Sequence, residues 1–417
     1  MDKNNYKKII NFNNIKQGYL EFIEKTEKQG KISRYTGISG LKIKEIDHIS
    51  DKICKEVRQE IINLKPLSPA VCYYIPKKDG SLRDIYIYDL KDRIKAQAIY
   101  RVLEPIFENN YSNFLFSYRS SHNNYYAARS VVRRYLRHYK EDFTLVVDLK
   151  NYSNFIDQKI LLKKLKQLGL SEKIMEILKL FITNTVYKDK KIYKPEKGVV
   201  QGVPLIALFA NLYLNDLDKY LGPKVSLYRR IGDDLILFDK NLKKLSELQE
   251  NLNKEVKTLK LEIKKKKTKL LPTKDNFHFL GYCFQNGIIS MEKEFIKKNV
   301  AYWKNILLSY KPKDQEDKIN YLKKLIHSKK NNLKNQFLQI VWQKILINND
   351  KQMKEFSEKF FRILTKYFFG KYSPRNQRLL KQKGIYKKIP SLYKCYINAH
   401  HERKKSSNFF ISTKKIN

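Results

Sequence analysis

The segment Tyr228-Arg-Arg-Ile-Gly-Asp-Asp-Leu-Ile-Leu-Phe238 places two adjacent carboxylates between two short apolar runs. Such runs predict two β-strands around a tight turn at Gly232. A further apolar run, residues 143–147, ends directly in Asp148. Carboxylates at strand ends are costly unless solvent or cations compensate them. The pattern leaves two interpretations open, either ordinary strand ends or a site that gathers acids around metal ions.

A metal site would explain why three acids converge, because Asp148, Asp233 and Asp234 would otherwise repel one another. Magnesium prefers oxygen ligands and usually binds one or two carboxylates together with substrate phosphates. Two such ions about 3.5–4 Å apart can activate an attacking 3′-hydroxyl and stabilise a leaving pyrophosphate. An Asp-Asp pair in a hairpin turn is also common by itself, so the three acids alone do not decide the question.

Composition points to a polyanionic partner. The chain has 417 residues, with 86 Lys+Arg against 42 Asp+Glu and a formal net charge of +44, and nucleic acid is the leading candidate. A hydrophobic fraction of 42% excludes a disordered polycation. We expect no membrane span, because no apolar run of about 18 residues is present. The first eight residues lack the apolar core of a signal peptide. The four cysteines are scattered and include no Cys-x-x-Cys pair, so we expect neither a disulfide framework nor a zinc site, and a reducing cytoplasm is the expected location.

Strand and helix patterns alternate along the chain. Residues 71–75 and 85–88 read as a hairpin, and residues 158–168 and 205–221 read as helices. Beyond about residue 290 strand signals thin out. Residues 301–417 are helical in pattern and carry 28 Lys+Arg against 7 Asp+Glu, a net charge of +21.

The stretch 71–285 resembles the reverse transcriptases of bacteria. Seven elements appear in the family's order, three of which carry most of the signal. Those three are Asp148-Leu-Lys-Asn-Tyr-Ser-Asn-Phe-Ile-Asp157, Gly198-Val-Val-Gln-Gly-Val-Pro-Leu-Ile-Ala-Leu-Phe-Ala-Asn211 and Tyr228-Arg-Arg-Ile-Gly-Asp-Asp234. The other four are Ile75-Pro-Lys-Lys-Asp-Gly-Ser-Leu-Arg83, the stretch from Asp92 to Phe107, Phe116-Ser-Tyr-Arg119, and the closing pair Lys267-Thr268 with Phe279-Leu280-Gly281.

The resemblance implies a right-hand polymerase of the α+β class. Residues 1–45 are polar and basic and predict an N-terminal extension, and the resemblance predicts fingers and palm, built from antiparallel sheet and helices, over residues 46–290. A basic, α-helical, thumb-like region that binds RNA would follow over residues 291–417. The chain lacks an H-N-H nuclease signature and the Val-Thr-Gly tripeptide of retron enzymes. It therefore looks like the stand-alone, defence-associated (abortive-infection-like) reverse transcriptases, which are related to group II intron and retron enzymes.

The resemblance also implies roles for individual residues. Asp148 and Asp233 would hold two Mg²⁺ ions, with Asp234 as a supporting carboxylate, and Lys267 would be the acid for pyrophosphate. The remaining positions would bind the substrates. They are Lys77 and Arg83 for the incoming triphosphate, Ser153, Gln201 and Gly202 for the nucleotide and nascent base pair, and Phe279, Leu280 and Gly281 for the primer grip.

Two positions depart from the family pattern. Ser153 stands where the family usually has Phe or Tyr, whose bulk excludes a nucleotide 2′-hydroxyl. We therefore expect weaker discrimination between ribo- and deoxyribonucleotides, unless the neighbouring Tyr152 replaces that aromatic gate. Gly232 replaces the usual Ala and gives a Gly-Asp-Asp triplet like that of RNA-dependent RNA polymerases.

The resemblance as a whole implies an RNA-directed DNA polymerase that uses dNTPs and copies a bound, dedicated non-coding RNA into DNA in anti-phage defence. Three alternatives stay open. They are template-independent or protein-primed DNA synthesis, a catalytically silent nucleic-acid-binding protein, and an RNA-dependent RNA polymerase. Self-association or a partner protein also stays open, because the sequence does not address it.

Overall fold

Helices and mainly antiparallel sheets together build this chain in a computed structural model. The structure describes residues 3–28, 36–42, 45, 49–76, 82–119, 122–327, 333–382 and 389–412. The predicted α+β class is confirmed. Contacts divide the chain into two compact units. The first unit comprises Met1–Ala127 with Asp142–Leu271, and the second comprises Ala128–Glu141 with Pro272–Asn417.

The first unit contains two four-stranded sheets and most of the N-terminal helices. Its helices are α1 (Lys3–Ile9), α2 (Phe12–Lys28), α3 (Ser50–Ile62), α4 (Leu90–Asn110), α6 (Tyr152–Phe155), α7 (Gln158–Lys166), α8 (Glu172–Ile182), α9 (Leu205–Tyr213), α10 (Asn215–Leu221) and α11 (Leu242–Thr258). Its strands are β1 (Ala70–Pro76), β2 (Leu82–Ile87), β3 (Phe143–Asp148), β4 (Val186–Lys188), β5 (Lys191–Tyr193), β6 (Leu227–Ile231), β7 (Asp234–Asp239) and β8 (Lys269–Pro272). Helix α5 (Asn124–His138) begins in this unit and continues into the second.

The sheet that carries the acids has the strand order β6-β7-β3-β8. Strands β6 and β7 pair antiparallel around the turn at Gly232, as the sequence predicts. Strand β7 also pairs antiparallel with β3, from Phe143 opposite Asp239 to Asp148 opposite Asp234. The alternation of side chains along β3 buries Leu145 and Val147 completely against the core. This register brings the three acids together at one end of the sheet, where β3 ends and β7 begins.

The second sheet has the order β2-β1-β4-β5 and contains the predicted hairpin. Strands β1 and β2 pair antiparallel with Val71 opposite Ile87 and Ile75 opposite Arg83. Residues 77–81, which would form its turn, lie outside the described residues. Strand β1 pairs parallel with β4 through Ala70 and Val186. The hairpin prediction is therefore confirmed for its two strands.

The helix predicted over residues 205–221 is two helices, α9 and α10, separated at Leu214. The physical reason lies in the buried Asn215. Its amide group donates to the Asn110 carbonyl over 2.9 Å and accepts from the Ser112 backbone N–H over 2.8 Å. These bonds fix Asn215 to the chain that follows α4. A single uninterrupted helix was therefore the wrong prediction.

The second unit is mainly helical after a three-stranded antiparallel sheet of order β11-β10-β9. Its strands are β9 (Phe277–Phe279), β10 (Tyr282–Gln285) and β11 (Ile288–Met291). Its helices are α12 (Lys293–Leu308), α13 (Gln315–His327), α14 (Leu333–Gln343), α15 (Asp350–Phe369), α16 (Pro374–Gln382) and α17 (Leu392–Ser412). Trp303 is buried and its ring packs against Phe337, Phe356 and Phe360. This aromatic cluster is the core of the helical part.

Beyond Met291, the described residues contain helices and no strand, as the sequence predicts. Among the described helices, none combines the length and the apolar composition that a bilayer crossing requires.

Candidate active site

Asp148 and Asp234 face each other directly across the paired strands β3 and β7. Directly opposed residues of an antiparallel pair project their side chains from the same face, with Cβ atoms about 4.5–5.5 Å apart. The next rung is a hydrogen bond from the Leu149 N–H to the Asp233 carbonyl, over 3.1 Å. Gly232 starts the turn with φ of +61°, in the left-handed region that favours glycine. Backbone pairing alone thus gathers the three acids that the sequence singles out.

The three carboxylates are crowded at this end of the sheet, and their crowding affects the pKa of Asp234. The pKa of Asp234 is raised to about 6, first because the side chain is largely buried and next because Asp233 and Asp148 are negatively charged. Lys267 and Lys264 act in the opposite direction without cancelling the effect. A further positive charge at this end of the sheet would relieve the repulsion between the carboxylates.

Two lysines already neutralise Asp148, which is 8% exposed. The Lys267 ammonium donates to Asp148 Oδ2 over 2.9 Å, and the Lys264 ammonium donates to Oδ1. The Lys264 backbone N–H also donates to the Asp148 carbonyl over 2.9 Å. The hydrogen bond between the Lys267 ammonium and the Asp148 carboxylate raises the pKa of Lys267. The predicted Lys267 therefore lies in the site.

Lys264 is a site residue that the sequence analysis missed. It belongs to the run Lys264–Lys267, and the Lys267 N–H donates to the Lys264 carbonyl over 3.0 Å. That single turn places the first and last lysines of the run on the same carboxylate. The available signal was the spacing of three residues between Lys264 and Lys267, because a single turn brings residues so spaced to the same side of the chain.

The donor set suits a hard cation because carboxylate oxygens are the ligands that Mg²⁺ prefers. Within the residues that the structure describes, no group of three or more His, Cys, Asp or Glu side chains has the arrangement of a metal site. The ammonium groups of Lys264 and Lys267 occupy both carboxylate oxygens of Asp148. The raised pKa of Asp234 is the feature that a bound cation would reverse. Metal binding at Asp148 would therefore require these two lysines to give way.

A fully buried ion pair lies beneath the Gly232 turn. The Arg230 guanidinium donates to both carboxylate oxygens of Asp218 over 2.7–3.0 Å, and both side chains are 0% exposed. The Tyr228 hydroxyl donates to the same carboxylate over 2.7 Å. Arg230 also donates to the Gly232 carbonyl over 3.1 Å. Two side chains of the Tyr228–Asp234 motif are thus structural supports for the turn that presents Asp233.

The same guanidinium connects further motifs. Arg230 donates to the Asn211 carbonyl over 3.0 Å. The Asn211 amide donates to the Ser117 carbonyl over 2.8 Å, and the Ser117 hydroxyl donates back to Asn211 over 2.9 Å. The backbone N–H of Phe116 donates to the Arg230 carbonyl over 2.9 Å. Three separate sequence motifs are therefore joined by one buried polar network, which sequence reasoning did not predict.

Ser153 lies beside the loop that contains Gln201 and Gly202. The Val199 N–H donates to the Ser153 carbonyl over 2.9 Å, which joins α6 to this loop. Gly202 has φ of +130°, and a Cβ added there would meet the Tyr86 carbonyl oxygen at 2.5 Å. Gln201 and Gly202 are exposed and Ser153 is partly exposed. Close approach to a neighbouring strand therefore requires glycine at position 202.

Tyr152 does not lie at this surface. Its side chain is 5% exposed, and its hydroxyl donates to the Ala210 carbonyl in the core. Its ring centroid is 6.5 Å from that of Tyr213. Tyr152 therefore packs inward, and the selectivity prediction depends on Ser153 itself.

The predicted triphosphate ligands are only partly described. Arg83 lies exposed on β2 opposite Ile75. Lys77 lies outside the described residues. Next to Arg83, Asp84 forms an ion pair with Lys188 over 2.7 Å. The structure thus places Arg83 on the hairpin, but it does not connect Arg83 to the three acids.

Phe279, Leu280 and Gly281 belong to the second compact unit, where Phe279 ends β9 and the other two residues form the hairpin turn to β10. Leu280 and Gly281 both have positive φ, of +51° and +75°. The buried Lys344 ammonium donates to their two carbonyls over 3.1 and 3.0 Å. Burial lowers the pKa of Lys344. Lys344 holds this turn, and no sequence pattern identified it.

Comparison with known proteins adds the family. The family profile for reverse transcriptase (RNA-dependent DNA polymerase) matches residues 75–284, half of the chain. The chain belongs to the reverse transcriptase family. It is therefore an RNA-directed DNA polymerase, a nucleotidyltransferase related to group II intron enzymes, as the sequence motifs indicate.

Three curated relatives illustrate the range of this reverse transcriptase's similarities. Protein YkfC of Escherichia coli (strain K12) is 26% identical over 54% of this chain and 69% of YkfC. The group II intron-encoded protein LtrA of Lactococcus lactis subsp. cremoris is 28% identical over 48% of this chain and 34% of LtrA. A putative COX1/OXI3 intron 2 protein of Saccharomyces cerevisiae is 23% identical over 52% of this chain and 23% of that protein. The chain thus spans a minor part of both intron proteins.

Solved structures of telomerase are also similar to this reverse transcriptase. A telomerase from Candida albicans in complex with a fragment of telomeric RNA shares 15% identity and a TM-score of 0.44 over 82% of this chain and 71% of that one. Apo telomerase from Candida tropicalis shares 12% identity and a TM-score of 0.44 over 84% of this chain and 74% of that one.

Proposed function

We propose that this reverse transcriptase synthesises DNA on an RNA template by two-metal nucleotidyl transfer at Asp148, Asp233 and Asp234. The observation that carries the proposal is the register that sets Asp148 directly opposite Asp234, with Asp233 at the adjoining turn. Two Mg²⁺ ions bound there would activate the primer 3′-hydroxyl and stabilise the leaving pyrophosphate. The pKa of Asp234 supports this proposal, because burial and then the negative charges of Asp233 and Asp148 raise it, and bound cations would act against both effects.

The chain's own side chains would then act on the incoming dNTP. Asp148 and Asp233 would hold the ions, and Asp234 would support them. The Lys267 ammonium bonds Asp148 in this structure, and once a metal ion displaces it from that carboxylate it would provide a proton for the pyrophosphate as it leaves. Arg83 and Lys77 would bind the triphosphate, since a guanidinium matches the geometry of phosphate oxygens.

We further propose that the template is a dedicated non-coding RNA, copied in the bacterial cytoplasm in defence against phage. The net charge of +21 over residues 301–417 supports RNA binding by the helical region. This region follows the polymerase motifs directly in the sequence.

A second candidate is synthesis with ribonucleotides, and one observation favours it. Ser153 offers a small, partly exposed side chain beside the Gln201 loop, and Tyr152 is turned into the core. A ribose 2′-hydroxyl would therefore meet no aromatic ring from either residue. This candidate changes the substrate and leaves the carboxylate chemistry as proposed.

The proposed function is tested by purifying the full chain with its bound nucleic acid and supplying Mg²⁺ and dNTPs. Sequencing before and after the reaction should show new DNA complementary to a copurified RNA. Digestion of that RNA beforehand should abolish the product. DNA made equally well after digestion would support template-independent or protein-primed synthesis instead, and no DNA under any condition would support a silent binding protein.

A further inference from the structure

The second compact unit contains a cavity of about 960 Å³ between helices α14, α15, α16 and the start of α17. This volume lies at the upper end of the range of ligand pockets. Of the residues that the structure describes, four lysines line it, and each comes from a different helix. They are Lys334 on α14, Lys354 on α15, Lys381 on α16 and Lys394 on α17.

The convergence of these lysines distinguishes the cavity from a solvated helix face. A solvated basic face results from charges that repeat along a single helix. Here four helices each contribute one lysine to one concave surface. Among the described residues of the lining, Glu358 is the single acid, and its carboxylate accepts a hydrogen bond from the Gln377 amide over 3.0 Å. Within the described residues, no carboxylate forms an ion pair with any of the four lysines.

Polar groups in the lining favour an anion. Ser357 is 5% exposed and lines the cavity, and its hydroxyl has no hydrogen-bond partner within the described part of the chain. Ser391, also in the lining, caps the 21-residue helix α17 by accepting from the Lys394 N–H over 3.3 Å. The N-terminal turn of that helix adds partial positive charge beside the lysines.

The ring of Tyr393, which stacks on that of Tyr396 with the centroids 6.2 Å apart, lies beside the charges. Tyr393 lines the cavity half-buried, and the Lys354 ammonium lies over its ring, 5.2 Å from the centroid. Bases stack on such rings in proteins that bind single-stranded nucleic acid, whereas a simple inorganic anion has no ring that could stack. The lining therefore combines donors for phosphate with a platform for a base.

We propose that this cavity binds the phosphodiester backbone of a single RNA strand, with a base against Tyr393. The choice of RNA over another polyanion rests on the proposed function. The lysines, Ser357 and the start of α17 would contact phosphate oxygens, and the site would hold the strand independently of nucleotide transfer.

The test measures fluorescence anisotropy of a labelled single-stranded RNA of about 12 nucleotides bound to the full chain in EDTA without dNTPs. Lys354→Gln with Lys394→Gln removes two lining charges. Lys351→Gln with Lys359→Gln is the matched control, since both are exposed lysines of α15 outside the cavity. We expect the cavity pair to weaken binding about tenfold and to reduce the slope of log affinity against log salt by about 1.4, while the control changes either quantity far less.

Equal losses from the two pairs, or no loss from either, would overturn the proposal. Displacement of the RNA by millimolar ATP from the wild type would also overturn it, by assigning the cavity to a free nucleotide. Because EDTA removes the Mg²⁺ that the proposed nucleotidyl transfer needs, the binding measurement does not depend on the proposed polymerase function. A chain that fails to make DNA can still show the lysine-dependent binding, and an active polymerase can still lack it.

Discussion

The guanidinium of Arg230 and the carboxylate of Asp218 form an ion pair from which solvent is fully excluded. Burial alone would lower the pKa of Arg230, but the Asp218 carboxylate outweighs burial and raises the pKa above its ordinary value. The pair lies directly under the turn that carries Asp233, and Arg230 also bonds the Gly232 carbonyl. The rigidity of the turn that carries the proposed metal ligand Asp233 therefore depends on two residues that take no part in the chemistry.

Replacing Arg230 with Met should destabilise the chain by about 3–5 kcal/mol, because it leaves a buried Asp218 carboxylate without its partner. Urea denaturation measures the loss. The matched control is Lys164→Met, which breaks a pair whose Asp216 side chain is 68% exposed, and it should cost below about 1 kcal/mol. Equal losses in the two variants would show that burial does not govern the Arg230 pair.

Ser153→Phe should restrict the enzyme to deoxyribonucleotides by placing a bulky ring beside the Gln201 loop. Wild type should incorporate both sugar types, and the variant should discriminate against ribonucleotides at least about tenfold more strongly, a difference of about 1.4 kcal/mol. Incorporation of each nucleotide into a primed RNA template provides the measurement. Tyr152→Phe is the control, since it removes only a core hydroxyl. Identical strict selectivity in wild type and Ser153→Phe would contradict the prediction.

Lys264 and Lys267 should have separable effects. Lys264→Gln removes a cation that competes for Asp148, so we expect the Mg²⁺ concentration for half-maximal synthesis to fall about two- to fivefold. Lys267→Gln should lower kcat about 10²-fold or more because it also removes the proposed acid. The exposed Lys266→Gln is the control and should change neither quantity. An unchanged Mg²⁺ dependence in Lys264→Gln would show that this lysine does not compete with the metal.

Lys344→Met should weaken the hold on the primer. The substitution leaves the carbonyls of Leu280 and Gly281 without the ammonium donor that fixes their turn. We expect the KM for a primed template to rise about tenfold with kcat less affected, together with a loss of about 1–3 kcal/mol in stability. Lys351→Met, at an exposed position, is the control. A loss of stability with no change in KM would limit Lys344 to a structural role.

The strand–turn–strand at Gly232 and the acid at the end of β3 were predictable because they depend on local apolar patterns. The register that sets Asp148 opposite Asp234 joins segments far apart in the sequence and was not predicted, and the choice of these acids as metal ligands rests on the family resemblance. The predicted position of Lys267 rested on a family resemblance, and the structure places its side chain on Asp148.

Contacts over longer distances were not predictable. The Asp218 partner of Arg230 comes from helix α10, and no periodicity marks an arginine as buried. Lys344 follows Gly281 by 63 residues and lies among many other lysines in the sequence. The break at Leu214 depends on bonds from Asn215 to the end of α4. Side-chain bonds between remote segments leave no trace in hydrophobic patterning.

The most direct test of the account is Mg²⁺-dependent incorporation of labelled dNTP on a primed RNA by Asp148→Asn and Asp233→Asn variants. Asp216→Asn is the control, as an exposed acid of the same compact unit. We predict that either site variant loses at least about 10³-fold in kcat, that chelation of Mg²⁺ abolishes the wild-type reaction, and that the control retains full activity. Wild-type rates in both Asp148→Asn and Asp233→Asn, with folding intact, would contradict the central claim that these acids carry the reaction.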